Sequence, residues 1–230
     1  MTDLSQYKTL VFDCDGVVLN SNQLKIQAYY ATAQNYGASH QQSQALVDYH
    51  VEYGGISRFV KFDHFLREIM HKPVSDVDIQ FLLTDFGREV ERRLLGCEIA
   101  PGLHDLKKAT PDTRWMMISG GDQDELRRLL AQRNLDHLFD AGIFGSPDNK
   151  DQVLAREMAS GNLAKPAIFF GDSKYDHQSS GRADLDFIFF SDWTDVDGWQ
   201  QYCRENAITI LPRLASLLDT RPKTNFYGAT

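Results

Sequence analysis

The spacing of apolar positions changes character several times along the chain. Thr9–Phe12 is a short unbroken apolar and β-branched run, which fits a strand buried on both faces, and it stops at Asp13-Cys14-Asp15-Gly16. Over residues 22–36, Leu24, Ile26, Ala28, Tyr29, Ala31 and Ala33 fit a helix with Gly37 as its stop. Residues 38–53 are Gln-rich and predict a more exposed helix that ends at the Gly54-Gly55 turn. Phe59, Phe62, Leu66 and Ile69, then Ile79, Leu82, Leu83, Phe86, Val90 and Leu94, recur at threes and fours. That is the pattern of two amphipathic helices separated by Lys72-Pro73. No strand is expected between Asn20 and Gly96.

Beyond Gly96 short apolar runs return at 114–118, 141–144, 167–170, Asp186–Phe190 and 207–211, with helical patterns between most of them. A helix over 124–133 buries Leu126, Leu129 and Leu130 and is capped by Asp122 and Glu125. Another over 151–160 buries Val153, Leu154 and Met158. Such alternation predicts an α/β fold, a parallel sheet covered on both faces, with the helical block 20–96 inserted after the first strand. The core domain is then residues 1–19 and 97–230. The tail 221–230, with little apolar content, is expected to fray or lie on the surface.

Composition narrows the function. A net charge of -8 and a pI near 5.3 leave no broad basic surface for nucleic acid or an acidic membrane, so an anionic small molecule would need locally placed cations. Cys14, Cys97 and Cys203 are odd in number and far apart, which suits neither a disulfide framework nor a zinc site. With no apolar run of membrane length and no signal-like N-terminus, the chain reads as a cytoplasmic protein with reduced thiols.

The chemistry gathers at the expected strand ends. In an open parallel sheet ligands bind beyond the carboxyl ends of the strands, where Asp13 and Asp15 would share one small site while Cys14 turns away as a buried thiol. The second run ends at Ser119-Gly120-Gly121 and the fourth at Gly171-Asp172, with Asp176 close behind. Asp13, Asp172 and Asp176 are an oxygen-only set suited to a hard cation such as Mg2+. Glycines beside Ser119 would let backbone N–H groups approach a phosphate, with the hydroxyl and the following helix N-terminus assisting; the alternative for Ser119 is a plain helix cap. Lys150 opens a helix nearby and is placed to balance the charge.

Asp13-Cys14-Asp15-Gly16-Val17-Val18, Ser119, Lys150 and Gly171-Asp172 with Asp176 resemble, in order, the four motifs of the haloacid dehalogenase superfamily. The block 20–96 resembles its C1 cap, and the resemblance spans nearly the whole chain. It implies a Rossmann-like core, with Asp13 as a nucleophile forming an aspartyl-phosphate and Asp15 as the acid and then the base. It also implies magnesium held by Asp13, the Asp15 carbonyl and Asp172, with Asp176 direct or through water. Asn20 departs from the pattern, since many relatives carry an Asp there, just before the position of Ser21.

The segment Gly54-Gly55-Ile56-Ser57-Arg58 resembles the specificity loop of C1-capped sugar phosphatases and β-phosphoglucomutases. Arg58 is thereby placed to reach a substrate hydroxyl or a second anion; otherwise it is a surface arginine in a first helical turn. Lys61, His50 and His64 are nearby candidates with weaker claims, and are otherwise solvated side chains. The expected function is a magnesium-dependent phosphatase of a small phosphorylated metabolite, a sugar or polyol phosphate, working as a monomer or homodimer. A β-phosphoglucomutase-like mutase and a non-catalytic metabolite-binding protein are the alternatives. Dehalogenases resemble the chain but lack the second acid, present here as Asp15.

Overall fold

A computed structural model describes residues 3–218, so the expectation for the tail 221–230 lies outside the described residues. Among these, six strands form one parallel sheet: β1 (Thr9–Phe12), β2 (Arg114–Asp122), β3 (Ile143–Ser146), β4 (Ala167–Gly171), β5 (Asp186–Phe190) and β6 (Thr209–Leu211). Their order is β3-β2-β1-β4-β5-β6. The order reverses at β1, so the crevice where a doubly wound sheet binds ligands opens between the ends of β1 and β4.

Side-chain alternation splits the sheet residues between two cores. Leu10, Phe12, Trp115, Met117, Ile168 and Phe170 face one cluster; Val11, Met116, Ile118 and Phe169 face the other. Both faces are buried, which is why these strands read as continuous apolar runs. Phe12, with no exposed surface, packs 4.5 Å from Trp115 and 5.1 Å from Phe170 between ring centroids.

Between β1 and β2 lie α1 (Asn22–Asn35), α2 (His40–Glu52), α3 (Arg58–His64), which continues as a π-turn over Phe65–Ile69, and α4 (Asp76–Leu94). Tyr29, Phe62 and Phe86 bury their rings against one another, and this block shares one continuous core with the Phe12 face of the sheet. The remaining helices are α5 (Leu103–Ala109), α6 (Gln123–Gln132), α7 (Lys150–Ala159), α8 (Lys174–Arg182) and α9 (Trp199–Glu205).

Several strand boundaries differ from expectation. The third strand begins at Ile143 because Gly142, at φ 104°, still belongs to a turn, and the sixth begins at Thr209 after Ala207 at φ 53°. The second continues past Ile118 through Ser119, Gly120 and Gly121, with a register shift against β3. Ser119 therefore lies in extended backbone and not in a turn. Asp122 caps α6 as expected, accepting from the N–H groups of Asp124 and Glu125 at 3.1 and 3.0 Å. The Glu125 side chain is used elsewhere.

Candidate active site

Parallel pairing of β1 with β4 brings two distant acids together. Phe12 is in register with Phe170, and the Asp13 N–H donates to the Phe170 carbonyl at 2.9 Å, so Asp13 and Asp172 leave neighbouring strand ends. Gly16 makes room for them. It sits at φ 75°, and a Cβ there would lie 2.0 Å from Asp172 Oδ2. Asp176 arrives from the first turn of α8, where its Oδ2 accepts from the N–H and hydroxyl of Ser173 at 3.1 and 2.6 Å. Asp13, Asp172 and Asp176 are all buried, and each offers a carboxylate oxygen within 4.8 Å of the others.

Lys150, the first residue of α7, reaches into this acid cluster. Its ammonium donates to Asp13 Oδ1 at 2.7 Å and also to Asp176 Oδ1. Burial and the positive helix end both oppose a cation there, yet the two carboxylates raise the Lys150 pKa and keep it charged. Among the described residues Asp172 has no such partner; it accepts at 2.7 Å from the neutral amide of Asn22. Burial, then the Asp13 and Asp176 charges, push its carboxyl well above the ordinary aspartate range. Burial also carries Asp13 up to about 7, against the pull of Lys150 and with help from Asp176 and Asp15. The uncompensated charge thus falls on an oxygen-only cluster, and these residues fit a hard divalent cation.

Asp15 has different neighbours. The Ser21 hydroxyl and the Lys25 ammonium both donate to it. Burial works against its charge, but Lys25 and the hydrogen bonds prevail and hold the carboxyl below the usual range. Three side chains at the start of α1 are spent on the site: the N-cap Ser21 donates to Asp15 instead of capping its own helix, Asn22 donates to both Asp172 and the Trp193 carbonyl, and Lys25, one turn after Ser21, donates to Asp15. Sequence reasoning missed Ser21, Asn22 and Lys25 as site residues. Their signal was three polar residues at helical spacing directly after the DxDG stretch, on a face that is otherwise apolar.

Ser119 is buried, and its Oγ accepts from the Gly121 N–H at 3.0 Å. Gly120 and Gly121 line a cavity together with Asp13, Asp15, Asp172 and Lys25. Gly120 also seats the helical block, because a Cβ there would lie 2.5 Å from the Gly55 carbonyl oxygen. The 54–58 loop therefore rests on the end of β2.

Arg58 is buried, donates to Glu125 Oε1 at 2.9 Å and lies 2.8 Å from Glu125 Oε2, and stacks over Phe86. It is not a surface arginine; its charge is matched across the boundary between block and sheet domain. Lys61, with 1% exposure, is not solvated either, nor is His50, which receives a hydrogen bond from Lys61 at 2.6 Å. His64 is half-buried and stacks on Tyr49 with centroids 3.7 Å apart. These expectations fail because the loop from Gly54 folds the start of α3 inward over the sheet ends. A second cavity, of about 280 Å³, runs between α4 and α6 and shares Asp15, Lys25, Arg58 and Gly121 with the first.

Comparison with known proteins agrees with this geometry. The family described as haloacid dehalogenase-like hydrolase matches residues 10–190. A predicted phosphatase from Clostridium acetobutylicum is similar at 16% identity, with a TM-score of 0.71 over 93% of this chain and 97% of that one. A hydrolase from Pseudomonas syringae shares 18% identity, with a TM-score of 0.68 over 93% and 97%. A predicted phosphoglycolate phosphatase from Haemophilus somnus shares 17%, with a TM-score of 0.64 over 82% and 87%. At these identities the likeness is one of fold. No match was found among curated proteins.

Proposed function

The chain belongs to the haloacid dehalogenase-like hydrolase family, and we propose that within it the protein is a magnesium-dependent phosphatase of a small phosphorylated metabolite, of the sugar or polyol phosphate class. The observation that carries this reading is the contrast between Asp13 and Asp15. Two residues apart, they stand in opposite surroundings: Asp13 is buried among acids, with Lys150 as its cation, while Asp15 is held by Ser21 and Lys25. The surroundings give the two carboxyls different tasks: Asp13 belongs to the oxygen-only cluster with Asp172 and Asp176, and Asp15 stands outside it, on the wall of the second cavity.

In this reading an oxygen of Asp13 attacks phosphorus, giving an aspartyl-phosphate. Asp15, which Lys25 and Ser21 hold ionised, must take up a proton as the substrate binds and then hands it to the departing alkoxide. Asp15 then takes a proton from the water that opens the aspartyl-phosphate. Lys150 keeps Asp13 oriented and offsets phosphoryl charge, and Gly120 and Gly121 line the same cavity. Magnesium, held by Asp13, the Asp15 carbonyl, Asp172 and Asp176, would supply the charge that returns Asp13 to its nucleophilic carboxylate and screens the phosphoryl oxygens. The block 20–96 acts as a cap that excludes bulk water, and the 280 Å³ cavity beyond Asp15 has room for a leaving group. The three cysteines are unpaired and buried, in keeping with a cytoplasmic enzyme.

Phosphate release from a panel of sugar, polyol, nucleotide and hydroxy-acid phosphates, with magnesium and with chelator, tests the proposal. Magnesium-dependent release from a narrow subset supports it. Conversion of a hexose 1-phosphate to the 6-phosphate without release would make the protein a mutase, and silence across the panel would favour a metabolite-binding protein.

A further inference from the structure

Arg58 and Glu125 form an ion pair on the wall of the cavity of about 280 Å³ between α4 and α6, and the chemistry above leaves it unused. Arg58 opens α3 and Glu125 lies in the first turn of α6, so the pair joins the helical block to the sheet domain. Arg58 lines both cavities, whereas Glu125 lines only the one with room for the leaving group.

Two observations show that the pair is accommodated there at a cost. Gly87 stands inside α4, where glycine weakens a helix, and a Cβ on it would lie 2.6 Å from Glu125 Oε1. The helix thus gives up a side chain where the Glu125 carboxylate needs the space. Second, Arg58 Nε and Glu125 Oε2 are both buried, and among the described residues neither has a hydrogen-bond partner. One donor and one acceptor therefore remain unsatisfied beside an open volume.

Charge decides what that volume can take. An unpaired arginine on this wall would be a receptor for a second anionic group, but Glu125 already matches Arg58, and Asp15 matches Lys25. A carboxylate or phosphate on the leaving group would enter beside the Glu125 carboxylate, where partial burial strengthens like-charge repulsion. The exposed Arg88 and Arg128 also line the cavity, but so do Glu91 and Asp122, and no net positive charge is left over. A hydroxyl both donates and accepts, so it suits a vacant N–H beside a vacant carboxylate oxygen.

We propose that Glu125 is a specificity-determining residue: by matching Arg58 it closes the leaving-group cavity to a second anion, and the pair selects an uncharged, hydroxyl-bearing leaving group. This rests on the phosphatase reading of Asp13 and narrows it. Phosphorylated hydroxy acids and bisphosphates are then poor substrates, rejected by a repulsive element built into the site.

The test compares D-glucitol 6-phosphate with 6-phosphogluconate, which differ only in a hydroxymethyl group against a carboxylate. Calorimetric titration of the Asp13→Asn protein with magnesium present should show the polyol binding at least about tenfold more tightly. Adding Glu125→Gln frees Arg58 and should reverse the preference. Adding Arg58→Met together with Glu125→Gln removes both charges and should bring the two affinities within about threefold of each other. Equal affinities in the Asp13→Asn protein, a preference for the acid, or no binding of either ligand overturn the proposal. So does a ratio that both added variants leave unchanged while they weaken the two ligands in parallel, the mark of a purely structural pair. The single variant leaves Arg58 buried without its partner; if it misfolds, the doubly neutralised variant and the Asp13→Asn comparison still decide. Phosphate release by the wild-type protein is scored separately: selective binding without turnover sinks the phosphatase reading alone, and turnover without discrimination sinks the role of Glu125 alone.

Discussion

Lys150 Nζ lies 2.7 Å from Asp13 Oδ1, although 137 residues separate the two in the chain. One residue opens α7 and the other ends β1, and the sheet order is what brings them together. The contact gives the site a fixed cation, and it makes Asp13 a carboxylate whose loss can be tested cleanly.

Asp13→Asn should abolish phosphate release, by about ten-thousand-fold or more if Asp13 is the nucleophile. The amide keeps an oxygen for Lys150 and removes one of three crowded negative charges, so the fold should persist. Steady-state assays beside circular dichroism check both statements, and full activity in a folded variant would remove Asp13 from the chemistry.

Asp15→Asn should slow hydrolysis of alkyl phosphates by about a hundredfold or more, the usual contribution of a positioned proton donor. Hydrolysis of p-nitrophenyl phosphate should suffer less, because that leaving group departs without a proton. Magnesium affinity should change little, since the expected ligand is the Asp15 carbonyl. Loss of metal binding as the sole defect would contradict the acid–base role.

The buried Asp13 carboxyl also predicts a pH dependence. It sits at about 7 in the folded metal-free protein, against an ordinary value of 3.8, chiefly because burial disfavours the charge. Between those two pH values the folded protein holds a proton that the unfolded chain has lost, so this group's contribution to stability falls as pH rises through the window. In chelator, the melting temperature of Asp13→Asn minus that of wild type should therefore grow between pH 4 and 8, and magnesium should reduce the gap at the upper end. A gap that shrinks with rising pH would contradict the burial argument.

Among the described residues Asp172 has Asn22 and no cation beside it, so it is the acid most in need of a bound ion. Magnesium at a hundred times its dissociation constant should stabilise the wild-type protein by about 2.7 kcal/mol. Asp172→Asn should lose most of that gain, measured as the magnesium-induced shift in denaturant midpoint. An undiminished shift would place the ion elsewhere.

Gly120→Ala tests how the helical block is seated. The added methyl would meet the Gly55 backbone oxygen at 2.5 Å, and backbone cannot swing aside as a side chain can. A stability loss of about 1–3 kcal/mol is expected, with reduced turnover because the 54–58 loop is displaced from the cavity wall. Chemical denaturation and kinetics on the same sample read both effects.

The acids and their order were legible in the residues because they depend on local structure. Unbroken apolar runs mark strands buried on both faces, and the residue after such a run must leave the sheet at its carboxyl edge, so Asp13 and Asp172 could be assigned to a shared crevice before any contact was known. Helical spacing over 20–96 likewise marked the run of helices that lies between β1 and β2. Which side chains in that block face the site was decided by tertiary structure alone. Lys61, His50 and Arg58 have the polarity of surface residues, yet all three line the cavity at the strand ends, Lys61 and Arg58 fully buried there. The partner of Arg58, Glu125, looked like a helix cap, and Lys25 looked like an ordinary helical lysine until Asp15 was found beside it. Periodicity reports which way a side chain points from its own element. It carries no information about the charge that waits on another one.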